Sequence, residues 1–199
     1  MNGRSVKTYE DIVGFHGHSC LGLALGYRVA LKAVEWLNAN HAEDEEIAAV
    51  VENDSCAVDA VQVVTGCTFG KGNLIFRDIG KRGYTFYNRD TGKGVRIVEN
   101  YRPIESPELQ QLRNAVFSGT ATEAQREEFR EFTRRGIEDI LCAPEEEIFT
   151  LKEVMNPPPP RARLFHTLTC DRCGEKVMEP RAVKTGGKVY CADCAENAD

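Results

Sequence analysis

Two imidazoles and a thiol fall within five positions of this chain, at His16, His18 and Cys20. His and Cys side chains are the usual donors to zinc and iron. Gly17 between the histidines lets the backbone bend tightly enough for all three to converge on one point. A second thiol, Cys56, follows Asp54 and Ser55, either of which can cap a helix running to about Thr65, with Gly66 just past its end. That places Cys56 in the first helical turn, where unpaired N–H groups and the positive end of the helix dipole favour thiolate. Asp59, one turn on, can orient an imidazole or accept a proton. Cys67 and Lys71 lie in a glycine-rich stretch, Gly66 to Gly72, which could carry them to the same place, with Lys71 holding an anionic substrate group. The stretch is not a phosphate-binding loop, because Lys71 is followed by Gly72 rather than Ser or Thr.

The core site expected from these residues is a metal centre. His18 and Cys56 are its leading ligands, with His16, Cys20 and Cys67 as further candidates. Mixed imidazole and thiolate donors suit zinc and also iron. With fewer than four protein ligands the ion would keep an open position, from which it could polarise a carbonyl or activate water. Thiol redox chemistry among Cys20, Cys56 and Cys67 is a rival reading, although none of them sits in a CxxC pair.

Such pairs do occur near the C-terminus. Cys170 and Cys173 are separated from Cys191 and Cys194 by 17 residues. Thiolates two residues apart bite one tetrahedral ion and two such pairs close its shell, so this is a structural zinc site, with a rubredoxin-like iron centre as the chemical alternative. Lys188 to Tyr190, with Val177 and Met178, suggest a hairpin between the knuckles. A module of this size cannot hold itself together by core burial and needs its metal to fold.

The remaining sequence supplies elements to position these groups. Leu23, Tyr27, Ala30, Leu31, Val34 and Leu37 recur at helical spacing after the histidine turn. Gly22, Gly26 and Ala30 fall four apart on that helix, so one face admits a close neighbour, a packing role rather than a chemical one. Ile47 to Val51 reads as a buried strand, and Leu74 to Arg77 as another. Tyr84 to Arg89 and Val95 to Val98 flank a turn at Asp90 to Gly94. Ser106-Pro107 opens a helix, and a capping box at Thr122 and Gln125 opens the next, along which Glu127 pairs with Arg130 and Glu131 with Arg135. His41 is expected at the surface and Cys142 in the core. Ile148 to Val154 suits a closing strand. Pro157 to Pro160 then form an extended spacer. The expected division is a core domain at 1–155, a linker at 156–163 and the four-cysteine domain at 164–199.

A net charge of −6 weighs against broad nucleic-acid binding. Apolar runs too short to span a membrane, an N-terminus without an apolar signal region and cysteines at metal spacing point to a cytoplasmic protein.

The stretch Phe15 to Arg28, joined to Glu52 to Gln62 and Thr65 to Leu74, resembles the FmdE family of formylmethanofuran dehydrogenase subunits. Leu21 stands where that family often carries proline. The resemblance implies an α+β core with a mixed or antiparallel sheet, helices packed on it and a cleft lined by the His, Cys and Asp positions. It also implies a treble-clef-like zinc finger as the tail, a homodimer, and a link to one-carbon redox metabolism and methanogenesis through redox-enzyme partner subunits that hold the molybdenum or tungsten pterin. The alternative is a non-enzymatic protein that uses its zinc finger for interaction or regulation.

Overall fold

The computed structural model describes residues 7–101 and 106–196. The chain divides into two compact units, residues 1–161 and 162–199.

The first unit is built on the apolar run Ile47–Val51 (β1), whose only residue short of full burial is Val50. A strand buried on both sides belongs inside a sheet, and β1 lies between Leu74–Phe76 (β2), parallel to it, and Gly83–Asn88 (β3), antiparallel. Gly94–Glu99 (β4) and Phe149–Glu153 (β5) extend the sheet antiparallel, giving the order β2-β1-β3-β4-β5. The fold is therefore α+β on a mixed sheet. The hairpin at Asp90 to Gly94 and the closing strand lie where alternation and turn residues put them.

Between β1 and β2 the chain crosses over through Ala57–Thr65 (α3), which ends at Gly66 in the left-handed region (φ 75°). Its N-cap is Cys56, without a side-chain cap bond, rather than Asp54 or Ser55, because Ser55 turns its hydroxyl onto Asn53. Tyr9–His16 (α1) precedes Leu21–Trp36 (α2), and α2 packs against α3, β4 and Glu123–Cys142 (α5). Gly26 is what allows the α2–α3 approach: a Cβ there would lie 2.4 Å from the Ala57 carbonyl oxygen. Arg28 ties the other side of α2 to the end of α5, donating to the carbonyls of Ile140 (2.6 Å), Leu141 (2.9 Å) and Ala143 (2.9 Å), a cation where helix dipoles end negative.

Pro107–Phe117 (α4) starts at a Ser106 cap and α5 at the Thr122 and Gln125 capping box, and the Glu127–Arg130 and Glu131–Arg135 pairs form at 2.6 and 2.7 Å. Two expectations fail locally. Cys142 ends α5 exposed, since the inward stripe there is Ile137 and Ile140. His41 is half-buried against Gly66 rather than out at the surface.

The second unit holds two hairpins where one was expected. Thr167–Thr169 (β6) pairs with Lys176–Met178 (β7) around the first CxxC, and Val183–Thr185 (β8) pairs with Lys188–Tyr190 (β9) across Gly186 and Gly187. A short helix, Ala192–Glu196, then carries Cys194.

Candidate metal centre

Three helix ends meet at one point of the first unit. α1 stops at His16 because Gly17 turns left-handed (φ 93°) and returns its N–H to Val13. The chain then extends to Cys20, the N-cap of α2, whose Sγ accepts from the Leu23 N–H at 3.4 Å. The Tyr9 hydroxyl pins this bend through Ser19 Oγ at 2.9 Å. Cys56 arrives from the opposite direction, at the N-terminus of α3. The close helix packing around Gly26 carries through to Gly22, where a Cβ would sit 3.5 Å from Cys56 Cβ. As a result the donor atoms of His16, Cys20 and Cys56 all lie within 4.8 Å of one another.

The imidazole is held by a second set of contacts. Asp59 Oδ2 lies 2.7 Å from His16 Nδ1, while Asp59 Oδ1 accepts from Gln62 Nε2 at 3.2 Å. An ionised carboxylate only accepts, so Nδ1 carries the hydrogen, and in the neutral imidazole Nε2 then presents a lone pair. His16 Nε2 is buried and has no hydrogen-bond partner among the described residues. A buried acceptor without a partner costs free energy, and a metal ion is the occupant that two adjacent thiols would share with it. Burial pushes the Cys20 thiol up, partly offset by the Leu23 N–H and reinforced by Cys56. A divalent cation would relieve that penalty by binding both sulfurs as thiolates. Tetrahedral zinc needs sulfur atoms about 3.8 Å apart, within reach of this spacing, and three donors leave its fourth position open.

The loop that delivers Cys56 is fixed from below. Asn53 Oδ1 accepts from Ser55 N–H (3.2 Å) and Oγ–H (2.7 Å), and its Nδ2 donates to the Lys81 carbonyl at 2.9 Å. The buried Tyr84 hydroxyl lies 3.5 Å from Asn53 and donates to Glu99 at 2.8 Å. Burial holds the Glu99 carboxyl above its ordinary value and pushes the Tyr84 phenol up as well. Sequence reasoning gave none of Asn53, Gln62, Tyr84 or Glu99 a role. The three-residue helical step from Asp59 to Gln62 was the one available signal.

The other expected site residues fall elsewhere. His18 is exposed, its ring tilted at 39° to that of His16 with the centroids 4.5 Å apart, and it does not join the three-donor group. Cys67 lies beyond the far end of α3, roughly 13 Å of helix from Cys56. It is fully buried, close to the Ile47 carbonyl, and burial pushes its thiol to about 11. Lys71 is at that far end too, donating to the Ala42 carbonyl at 3.0 Å. Beside the triad runs a cleft of ≈ 380 Å³, bordered by His16, Cys56 and Asp59 and by the exposed rings of Phe69 and Phe76.

In the second unit, Cys170, Cys173, Cys191 and Cys194 bring four Sγ atoms within 4.8 Å of one another. Knuckle amides, led by Cys173 N–H, hold the Cys170 thiol down to about 6, whereas the adjacent thiols, Cys191 first, push Cys194 up to about 12. Four sulfurs so placed can all be thiolates only around a cation.

Residues 15–150 match the family described as FmdE, molybdenum formylmethanofuran dehydrogenase operon. The chain belongs to the FmdE family. Residues 163–198 match the prokaryotic dksA/traR C4-type zinc finger, in agreement with the four-cysteine cluster, so this FmdE protein carries a zinc-binding C4 motif in its tail. A solved structure from Syntrophus aciditrophicus, of a protein described as FmdE-like and named for tungsten formylmethanofuran dehydrogenase, is 26% identical with a TM-score of 0.57, covering 100% of this chain and 98% of that one. A probable S-adenosyl-L-methionine-binding protein of Archaeoglobus fulgidus is 40% identical over 188 residues, 89% of this chain and 50% of the relative. The chain thus spans about half the length of that relative. None of the described helices is long and apolar enough to cross a membrane.

Proposed function

We propose that this FmdE protein binds a second metal ion, in its core, through His16 Nε2, Cys20 Sγ and Cys56 Sγ. The observation that carries the reading is the buried, unpartnered His16 Nε2 beside two thiols, on an imidazole whose other nitrogen is held by Asp59. Zinc fits the donor set, and iron would use the same atoms. An ion held by these three donors would keep a coordination position for Lewis-acid chemistry, and two of the residues that would hold it, His16 and Cys56, border the adjoining cleft. The chain's own residues do the rest: Asp59 and Gln62 fix the tautomer and orientation of His16, and Asn53 holds the loop that presents Cys56.

The family, together with the description of the Syntrophus protein, supports a place beside formylmethanofuran dehydrogenase in one-carbon redox metabolism, as a homodimer or with redox-enzyme subunits as partners. The name of the archaeal relative adds S-adenosyl-L-methionine as a ligand to assay. The alternative, an interaction protein acting through its zinc finger alone, predicts an inert core.

Metal content decides between them. Protein reconstituted with zinc should hold two ions per chain, and His16→Ala with Cys56→Ser should lower this to one while Cys170→Ser empties the tail instead. Two ions retained in the His16 and Cys56 variant, or one in the unaltered chain, would rule out the core centre.

A further inference from the structure

The residues around the cleft beside the triad are sorted by charge, and the sorting follows from strand alternation. Val51 and Phe76 point into this cleft, together with Asp54, Asp59, Gln62 and Phe69. Their neighbours in sequence, Val50 and Arg77, line a separate cleft on the other side of the sheet, which also holds Lys81 and Arg96, the latter paired with Glu52. Among its described lining residues the cleft at the triad has no Lys or Arg, two carboxylates and two phenylalanines that are 62% and 39% exposed. Asp59 is committed to His16 and Gln62, whereas Asp54 is exposed and pairs with no cation among the described residues. Two thiolates from Cys20 and Cys56 would offset the formal charge of a divalent ion bound at the triad.

From this lining we infer that the cleft takes a small organic cation, an ammonium or sulfonium group on a flat or apolar body. The volume of ≈ 380 Å³ lies at the small-molecule end of ligand sites. Exposed aromatic faces attract such cations through the ring quadrupole, and the Asp54 carboxylate adds to the attraction. Phosphorylated and carboxylate ligands meet no Lys or Arg here, and the one imidazole at the cleft, His16, is already engaged by Asp59. The inference goes beyond the metal assignment, since the charge and rings that select the ligand belong to Asp54, Phe69 and Phe76.

Three probes with one ring and different charge test it: benzylammonium, benzyl alcohol and benzoate, titrated into the full chain with ligand-observed NMR. Metal content is measured on the same samples, so that failure of this inference is separable from failure of the core metal centre. Benzylammonium should bind most tightly and benzoate least, in both metal-loaded and metal-free protein. Phe69→Ala and Phe76→Ala should each weaken benzylammonium on the order of two- to fivefold. Asp54→Asn should remove most of its advantage over benzyl alcohol, with the circular dichroism spectrum unchanged. Benzoate binding as well as benzylammonium, no measurable binding of any probe, or indifference to all three substitutions would overturn the inference.

Discussion

Asp59 touches no candidate donor atom except through His16, yet it decides which imidazole nitrogen faces the thiols. Outer carboxylates of this kind typically contribute 10- to 100-fold to metal affinity. Asp59→Asn should therefore weaken zinc binding in the core by about 10- to 100-fold, read by competition with a chromophoric chelator, while the tail ion and the thermal unfolding midpoint stay in place. Glu52 illustrates a different residue-scale effect. Its two carboxylate oxygens each lie 2.6 Å from Arg96, whose guanidinium holds the carboxyl below the usual range. A depressed folded value means stability that is present above the ordinary value of 4.5 and lost as pH falls through the folded one. Glu99, raised by burial, acts with the opposite sign, favouring the fold at low pH and losing that share as pH rises through its raised value. Urea unfolding measured over the carboxylate titration range, roughly pH 3 to 6, should show part of the acid-side loss disappearing in Glu52→Gln and persisting in Glu99→Gln.

Among the elements, α2 and α3 matter most, because their contact sets the distance between Cys20 and Cys56. Gly26→Ala would drive a Cβ to 2.4 Å from a backbone oxygen that cannot rotate away, whereas at Gly22 the nearest atom is 3.5 Å off, an ordinary contact. Gly26→Ala should cost about 1–3 kcal/mol of unfolding free energy and weaken core metal binding with it, and Gly22→Ala should do neither. The elements themselves were legible in sequence: the apolar run of β1, the Ser106 cap, the Thr122 capping box and the small-residue stripe of α2 each state a local preference that packing then honours. The choice of histidine was not. His16 and His18 are chemically alike two positions apart, and only the left-handed turn at Gly17 leaves the first at a helix end facing Asp59 and the second exposed. Cys67 misled for the converse reason. Its glycine-rich surroundings suggested a turn that could carry it to the site, but α3 is a rigid spacer and delivers Cys67 to its other end.

At the scale of the whole molecule, the two units rest on different physics. The first encloses a continuous apolar core of sheet and helices, while the second has Cys170 as its one fully buried residue among those described, and so depends on its metal for cohesion. Chelation should therefore abolish the protease resistance of residues 162–199 while leaving that of the first unit, read by limited proteolysis and mass spectrometry. The core ion is the assignment on which the functional reading rests, and anomalous scattering from a crystal of the zinc-loaded protein, recorded on both sides of the zinc edge, would locate it outright. Two peaks per chain are expected, one enclosed by the four tail sulfurs and one bounded by His16 Nε2, Cys20 Sγ and Cys56 Sγ. A single peak at the tail, or a second one away from those three atoms, would refute the core centre.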